Sequence, residues 1–547
     1  MLKLGNSDIL YKIKRFYGKN MNKSFIAISV FIFLSIGVLF PQAYMDINDD
    51  LYSYINLWYG EGLIKRLPNI RPYSPKLVKE ILEKVKQRGG REDSETADWY
   101  LKKIGKTFRS DLSLTAETNI TGDKYSSIYR TIYSFALPLS SSVSAAMKIG
   151  GNLIDRENGE VFPAGERRVY DFIEDDASIN LNGKTIDARQ GIKTLFSVET
   201  GKIRFQSGVI RSAFGPFFND GAVVSNEAPM AGHFSFLWDL SAVRYYAMLL
   251  SLTASTNTGY GRFPEKYFFL HGLRFFLFPW MDMNLFESVV WGKRIDLLYL
   301  MPMSILFDDQ GLGGFEDNSF LGFSINFNIN KIKIPLVFYA DDLHFRDLAA
   351  FKFDTRYKFS FETGISWAPD ISFFKLISVN YLMVTPYMYT HKSAEGTPGS
   401  ADYGNYINYQ NYTHLGTNLG PGIEPNSDRL RLNILLMPLK FFKVNMFSSL
   451  VRHGNASEGY SSGDGSIFDD GWVSSTENIF SHLRFLTQNS INYIWQLGTD
   501  IKYLNLPIFE FLNINFKTGF VWQVSFSTGE SGIENKYFIN MGFSLNF

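Results

Sequence analysis

Gly459-Tyr460-Ser461-Ser462-Gly463 has the G-x-S-x-G spacing of serine hydrolases. That spacing does chemistry when it forms a strained strand-to-helix turn with a base at hand. Here it lies in a stretch rich in Ser, Gly and Asp, which predicts a surface connection without catalysis. The aspartate pairs Asp308-Asp309, Asp341-Asp342 and Asp469-Asp470 offer the hard oxygen ligands that calcium prefers. Such pairs equally serve to keep loops solvated. The 7 histidines are scattered with no H-E-x-x-H, and Gly311 to Gly314 precedes an expected strand, so no phosphate cradle is expected. With 0 cysteines the chain has no disulfides, thiolate metal sites or acylated lipobox thiol. Catalytic residues, metal and cofactor are all expected to be absent.

A different chemistry is written in the tyrosines. Tyr403, Tyr406, Tyr409 and Tyr412 lie three apart among Asn and Gly, with His414 and Asp428 following and Trp472 on the next long polar stretch. Sugar rings have apolar faces that stack on aromatics, and their hydroxyls pair with Asn, Asp and His. These seven residues are the candidate glycan ligands. The same rings could instead pack the connection or join an aromatic girdle at a membrane interface.

The elements that would position such a surface are strands. The chain has 547 residues with 50 Phe, 30 Tyr and 9 Trp, and its mean hydropathy is near neutral. A single segment is apolar enough to be a transmembrane helix, which excludes a helical membrane bundle. From Ser110 onward the apolar period is two. Leu321, Phe323, Ile325, Phe327 and Ile329 alternate with Gly322, Ser324, Asn326 and Asn328; Ile203, Phe205 and Val209, then Tyr357 to Trp367, and Leu512 to Phe526, repeat the pattern. Long alternating strands with aromatic ends fit a membrane band about 25 Å tall. At roughly 22–27 residues per strand with its connections, residues 110–547 give about 16–20 antiparallel strands. Tyr537, Ile539, Met541, Phe543, Leu545 and Phe547 alternate to the last residue, and a terminal aromatic strand of this kind resembles the assembly signal of bacterial outer-membrane proteins. The expected partner for that strand is the barrel assembly machinery. The stretches His391 to Asp428 and His453 to Ser475 read as long external connections.

Ahead of the barrel lie two other textures. Ser24 to Phe40 is apolar, follows Lys12, Lys14, Arg15, Lys19 and Lys23, and precedes Pro41-Gln42-Ala43, the order of a secretory signal. Residues 1–43 are therefore read as a signal sequence; Met21 alone would open one of ordinary length, so the first twenty residues need not be translated. Residues 44–109 are read as a small periplasmic helical bundle. Leu51, Tyr54, Ile55, Leu57 and Trp58 recur at helical spacing, Ser74-Pro75 starts a second helix with Leu77, Val78, Ile81, Leu82 and Val85 on one face, and Ala97 to Ile104 suggest a third. The fold class expected is an all-β transmembrane barrel preceded by that α-helical bundle.

Several segments resemble the Wzi-type capsule-assembly proteins: Phe214-Gly215-Pro216 with Val224-Ser225-Asn226-Glu227-Ala228-Pro229, His271-Gly272-Leu273 to Leu300-Met301-Pro302 including Phe286-Glu287, Tyr339-Ala340-Asp341-Asp342, and Tyr412-Thr413-His414 with Gly416, Leu419-Gly420-Pro421 and Asp428. Phe214 stands where the family has Trp, Phe217 where it has Gly, and Met301 where it has Asn. The resemblance spans most of the chain after the signal. It implies an eighteen-stranded barrel closed by folded-in loops, a periplasmic helical bundle, and lectin-like rather than catalytic work.

The function expected is an outer-membrane lectin that holds or organises surface or capsular polysaccharide, embedded in outer-membrane lipid. The alternative is a substrate-selective channel. Lysine plus arginine (54) equals aspartate plus glutamate (54), so no basic surplus supports a nucleic-acid partner. Deleting Tyr537 to Phe547 should abolish heat-modifiable assembly, read as the mobility difference between boiled and unboiled protein on a gel.

Overall fold

Along Asn318–Ile329 it is the polar residues that are hidden. Ser324 and Asn326 are 1% and 3% exposed, whereas Leu321 and Phe323 on the opposite face are 48% and 37% exposed. Alternation of this sense, apolar out and polar in, is what a strand in a lipid-embedded barrel requires. The computed structural model describes residues 46–547 apart from internal stretches, the longest being 392–404, 455–466 and 469–484. The signal read over residues 1–43, Tyr403, Trp472 and the Gly459 to Gly463 pattern lie outside the described residues.

Eighteen antiparallel strands form one closed barrel. It runs from Arg109–Thr121 to Glu534–Asn546, and these two pair to close it, from Ser113 opposite Asn546 to Ile120 opposite Ile539. Two short pieces, Glu174–Leu181 and Ile407–Asn408, pair with strands of the barrel without becoming staves. Tyr537, Met541 and Phe543 of the last strand point outward and are exposed. Connections such as 201–202, 279–280, 330–331 and 440–441 lie at one end, and the long ones, 211–230, 293–317, 385–426 and 455–490, lie at the other. The expected sorting of short turns and long loops to opposite ends therefore holds. One boundary differs: Asp428, expected on the long connection, sits inside the strand Ser427–Leu439, because the alternation of Arg429, Leu430, Arg431 and Leu432 already begins there.

Among the described residues three helices precede the barrel: α1 (Asp50–Gly60), α2 (Pro75–Arg88) and α3 (Arg91–Ile104). Asp49 caps α1 by accepting from the Leu51 backbone, and Ser74 caps α2 by accepting from Leu77. Leu51, Ile55 and Trp58 share one apolar core with Val78, Leu82, Val85, Ala97 and Tyr100. The same core takes in Ala368, Leu376, Met437 and Leu504 of the barrel. The helices thus do not stand apart as a free bundle; they cover the short-turn mouth. Polar contacts fix them there. Lys502 Nζ reaches Asp50 Oδ1 at 3.1 Å, Lys375 reaches Glu92 at 3.1 Å, Lys440 reaches Glu95 at 3.2 Å, and Tyr59 Oη donates to Asn328 Oδ1 at 2.8 Å. Burial opposes ionisation of Asp50, yet Lys502 and Lys443 together hold its carboxyl below the usual range.

Glu61, just past α1, has the opposite balance. Burial, with Asp93 nearby, pushes its carboxyl up to about 7, and Oε2 is buried without a hydrogen-bond partner. A raised carboxyl pKa means the docked state keeps its proton while the undocked state has lost it. The penalty is absent below the ordinary carboxylate range, grows as pH rises, and is complete above about 7. Glu61→Gln should stabilise helix docking at pH 8 by up to about 3 kcal/mol, at ~1.4 kcal/mol per pH unit, seen as a higher urea midpoint, and leave the midpoint nearly unchanged at pH 4.5. The buried Trp58 provides the fluorescence readout.

Candidate functional site

The loop 211–230 turns into the barrel. Phe214, Phe217, Val223, Val224 and Ala228 are buried there against inward residues of the wall, including Tyr246, Met248, Phe268, Phe286, Phe320 and Tyr339. The loop 385–426 enters beside it and contributes Met388, Tyr389, Tyr412, Leu419 and Ile423 to the same cluster. Tyr389 Oη donates to the Ala222 carbonyl at 2.5 Å, and Tyr412 Oη donates to Val223 at 2.8 Å. From the other end, Ile70–Arg71 pairs with Ala213–Phe214 as a two-stranded sheet, and Arg71 donates to the Phe217 carbonyl at 2.6 Å. Arg274 on the wall grips Asp282 with two bonds of 2.8 and 2.9 Å and donates to Leu67 O and Asn69 Oδ1. The lumen is filled from both mouths, and the two fillings touch.

Asp220 is the node of the upper filling. Its carboxylate accepts from Ser225 Oγ at 3.1 Å, from the Gly422 backbone at 2.8 Å and from Arg429 Nη1 at 2.5 Å. One side chain therefore ties loop 211–230 to itself, to loop 385–426 and to the strand Ser427–Leu439. Asp220 also holds a φ of +46°, a left-handed conformation that Asp tolerates better than most residues.

Below this node lies a cavity of about 500 Å³. Its floor is α1, through Asp50, Ser53, Asn56 and Tyr59, and its roof is Pro216 to Asp220. Its walls carry Lys333, Glu362, Arg431, Lys443, Asp500 and Lys502. Both charge signs line it. These residues were legible only as the polar half of each alternating strand, with nothing to single them out.

The candidate glycan residues separate into two groups. Tyr412, His414 and Asp428 are buried. The Tyr412 ring packs among Phe268, Phe320, Tyr339 and Tyr389. His414 Nδ1 accepts from the Thr253 backbone at 2.9 Å and Nε2 donates to Met230 O at 2.9 Å; burial pushes its imidazole down to about 4, so it is neutral. Asp428 is held by Arg452 at 2.5 and 2.9 Å and by Tyr381 Oη at 3.0 Å. Their polar atoms serve the interior. Tyr406 and Tyr409 are half-buried at the long-loop mouth. There Ile407–Asn408 adds a rung to Ser255–Thr256. The Tyr409 ring lies so close over Gly292 that a Cβ there would come within 2.3 Å of it, and Lys293 Nζ is 5.6 Å from its centre. Beneath them the buried Lys266 ammonium donates to Asn411 Oδ1 at 2.7 Å and Thr413 Oγ1 at 3.3 Å.

Sequence reasoning missed Tyr260, which is 76% exposed beside them. The Thr256 backbone donates to Tyr260 O at 2.7 Å and the neighbouring Asn257 donates to Tyr406 O at 2.8 Å. Two tyrosines from distant segments thus hang from consecutive residues. A single tyrosine in a short Gly-flanked turn gives no periodic signal by which to find it.

No metal-binding group of three or more His, Cys, Asp or Glu side chains occurs among the described residues. The segments that resembled a capsule-assembly family converge in space: Phe214, Val224, Ala228, Phe286, Tyr339, Tyr412 and Leu419 are all members of the lumen cluster.

No family model matches the chain, and no curated protein matches it in sequence. Among solved structures it is similar to Wzi of Escherichia coli, described as an outer-membrane protein involved in group 1 capsule assembly and a carbohydrate-binding β-barrel. The TM-score is 0.56 at 10% identity, over 93% of this chain and 99% of that one. OprD of Pseudomonas aeruginosa and OccAB2 of Acinetobacter baumannii each give a TM-score of 0.42 at 10% identity over 80% of this chain, covering 95% and 98% of theirs; at that score neither bears on function. With its outward apolar faces and closed sheet, the chain is a bacterial outer-membrane β-barrel with a Wzi-like fold.

Proposed function

We propose that this protein is a lectin-like barrel that binds and organises surface polysaccharide at its long-loop mouth, without catalysis. The observation that carries the reading is the interlocked filling of the lumen. A pore lined for passage needs a continuous open path, whereas here loops 211–230 and 385–426 share one apolar cluster across the barrel. The fold likeness to a carbohydrate-binding barrel points the same way. Tyr260, Tyr406 and Tyr409 are the stacking surface in this reading, and Tyr403 and Trp472 are proposed to join it from the same and the following connection. Tyr412, His414 and Asp428 contribute by holding that surface from below. The helices then lie at the periplasmic end, opposite the glycan. Lipid surrounds the barrel, and the assembly machinery receives the last strand.

A substrate-selective channel is the second reading, and the polar cavity of about 500 Å³ favours it. Conductance separates the two. The wild-type barrel in a planar bilayer should conduct little. Asp220→Ala leaves the buried Arg429 unpaired, a loss of about 3–5 kcal/mol for a buried pair, and should raise conductance while heat-modifiable mobility persists. Large steady conductance by the wild type would favour the channel.

Each stacked ring contributes about 0.5–1.5 kcal/mol beyond its buried area, on the scale of aromatic pairs. Replacing both Tyr406 and Tyr409 by Ala should therefore weaken polysaccharide binding several-fold or more, measured by titration of refolded protein and by glycan retention on cells. Full retention by a normally assembled double variant would place the binding surface elsewhere.

A further inference from the structure

Most of the barrel's outward side chains are exposed, as the lipid-facing belt requires. Three adjacent strands depart from this: Val243–Thr256, Phe263–Phe278 and Met281–Gly292. Their inward residues are fixed by the lumen cluster, which takes Tyr246 and Met248, Phe268 and Leu270, and Phe286 and Val290. Strand alternation then sends Tyr245, Ala247, Phe269, His271, Glu287, Val289 and Trp291 outward. Yet Tyr245, Ala247, Phe269, Val289 and Trp291 are all buried, in a cluster of their own with Tyr299 and Leu306.

The cover is the segment 293–313 of the connection that follows. It leaves the long-loop end after Gly292 and folds back over the outside of the barrel. Tyr299 packs on Trp291 with ring centres 5.1 Å apart. Trp291 Nε1 donates to Arg294 O at 3.1 Å. Two strands away, Tyr245 is buried in the same cluster as Tyr299 and Leu306. Under this cover sits a polar pair that would otherwise face hydrocarbon: His271 Nε2 and Glu287 Oε1 are 2.9 Å apart, with side chains 5% and 18% exposed.

The other side of the cover is apolar and open. Ile295, Leu297, Met301, Met303, Ile305 and Leu312 are 51–79% exposed. A contiguous patch of this kind is a liability in water and marks an interaction surface. It lies on the outer wall, on the same side of the sheet as the exposed Leu285 and Leu321. The charges collect where the segment rejoins the barrel, with Arg294 bridging to Asp317 and Tyr299 Oη donating to Asp317 Oδ2 at 2.6 Å. Asp308, exposed on the short helix Leu306–Gly313, sets a limit on depth, since a carboxylate stays near the headgroups.

We propose that the segment 293–313 is a membrane-embedded flap whose partner is the acyl chains of outer-leaflet lipid. It lies at the boundary of headgroups and chains, turns its Met303 region toward the hydrocarbon, and seals the His271–Glu287 pair from lipid. The segment is therefore withdrawn from the polysaccharide-binding mouth, and this inference stands whether or not the protein binds glycan.

The absence of cysteine makes the test direct. Met303→Cys, Leu312→Cys, Asp308→Cys and Tyr260→Cys are each labelled with a polarity-sensitive fluorophore after refolding into phosphatidylcholine vesicles, with assembly checked by heat-modifiable mobility. Nitroxide-labelled phosphatidylcholine and aqueous iodide are the two quenchers. The label at Met303 should be blue-shifted and quenched several-fold more by the nitroxide lipid than by iodide, the label at Tyr260 should show the reverse, and the label at Asp308 should fall between. Leu312 provides a second apolar position should the Met303 variant fail to assemble. Iodide quenching at Met303 or Leu312 equal to that at Tyr260 overturns the proposal. So does protection from both quenchers together with cysteine cross-linking between barrels, which would make the occupant a second copy.

Discussion

A sheet of eighteen strands closed on itself encloses more space than its own inward side chains can fill, and every other feature of this protein answers that constraint. The inward faces carry polar and charged groups beside their apolar ones, so whatever fills the lumen must satisfy donors and acceptors as well as exclude water. The chain supplies the filling itself. Asp46 to Ile104 enters from the short-turn mouth and loops 211–230 and 385–426 from the other. Several charged wall residues are matched individually: Lys193 to Asp46, Arg274 to Asp282 and Asn69, Lys502 to Asp50, and Arg429 to Asp220. Removing one member of such a pair is harmful chiefly because the other stays buried without a partner.

The strands were legible because a membrane barrel writes its geometry into a period of two. Leu321, Phe323 and Ile325 announced one face, and Ser324 and Asn326 the other. The helices were legible through local chemistry, as in the Ser74-Pro75 start of α2, whose cap involves a residue three positions away. What could not be read is long-range. Asp220 and Arg429 are 209 positions apart, and no local pattern selects one aspartate and one arginine from so many. That α1 leans on the barrel wall was hidden for the same reason, since an amphipathic stripe declares that it will be covered without naming the cover.

The tyrosine series shows how an even spacing can mislead. Tyr406, Tyr409 and Tyr412 share an interval of three, which suggests one face. The backbone breaks that equivalence. Ile407–Asn408 pairs with the wall at the rim, whereas Thr413–His414 pairs with Thr417–Asn418 in a small inner hairpin, so Tyr412 is carried down into the lumen while its predecessors stay at the mouth. The resemblance to capsule-assembly proteins was carried largely by residues of this inner packing. Those positions speak to how the barrel is closed, and the residues that would touch a glycan are free to differ, because function is grafted on a fold by its loops.

The pairing of Ile70–Arg71 with Ala213–Phe214 joins the helical end of the molecule to the loop end through the centre of the barrel. The two ends are accordingly not thermodynamically independent. A ligand that shifts loop 211–230 works on the same hydrogen bonds that hold the segment between α1 and α2. Whatever free energy couples the mouth to the helices must act equally in both directions, so a molecule pressing on the helical face would shift the affinity of any ligand held at the long-loop mouth by the same factor with which that ligand shifts its own binding.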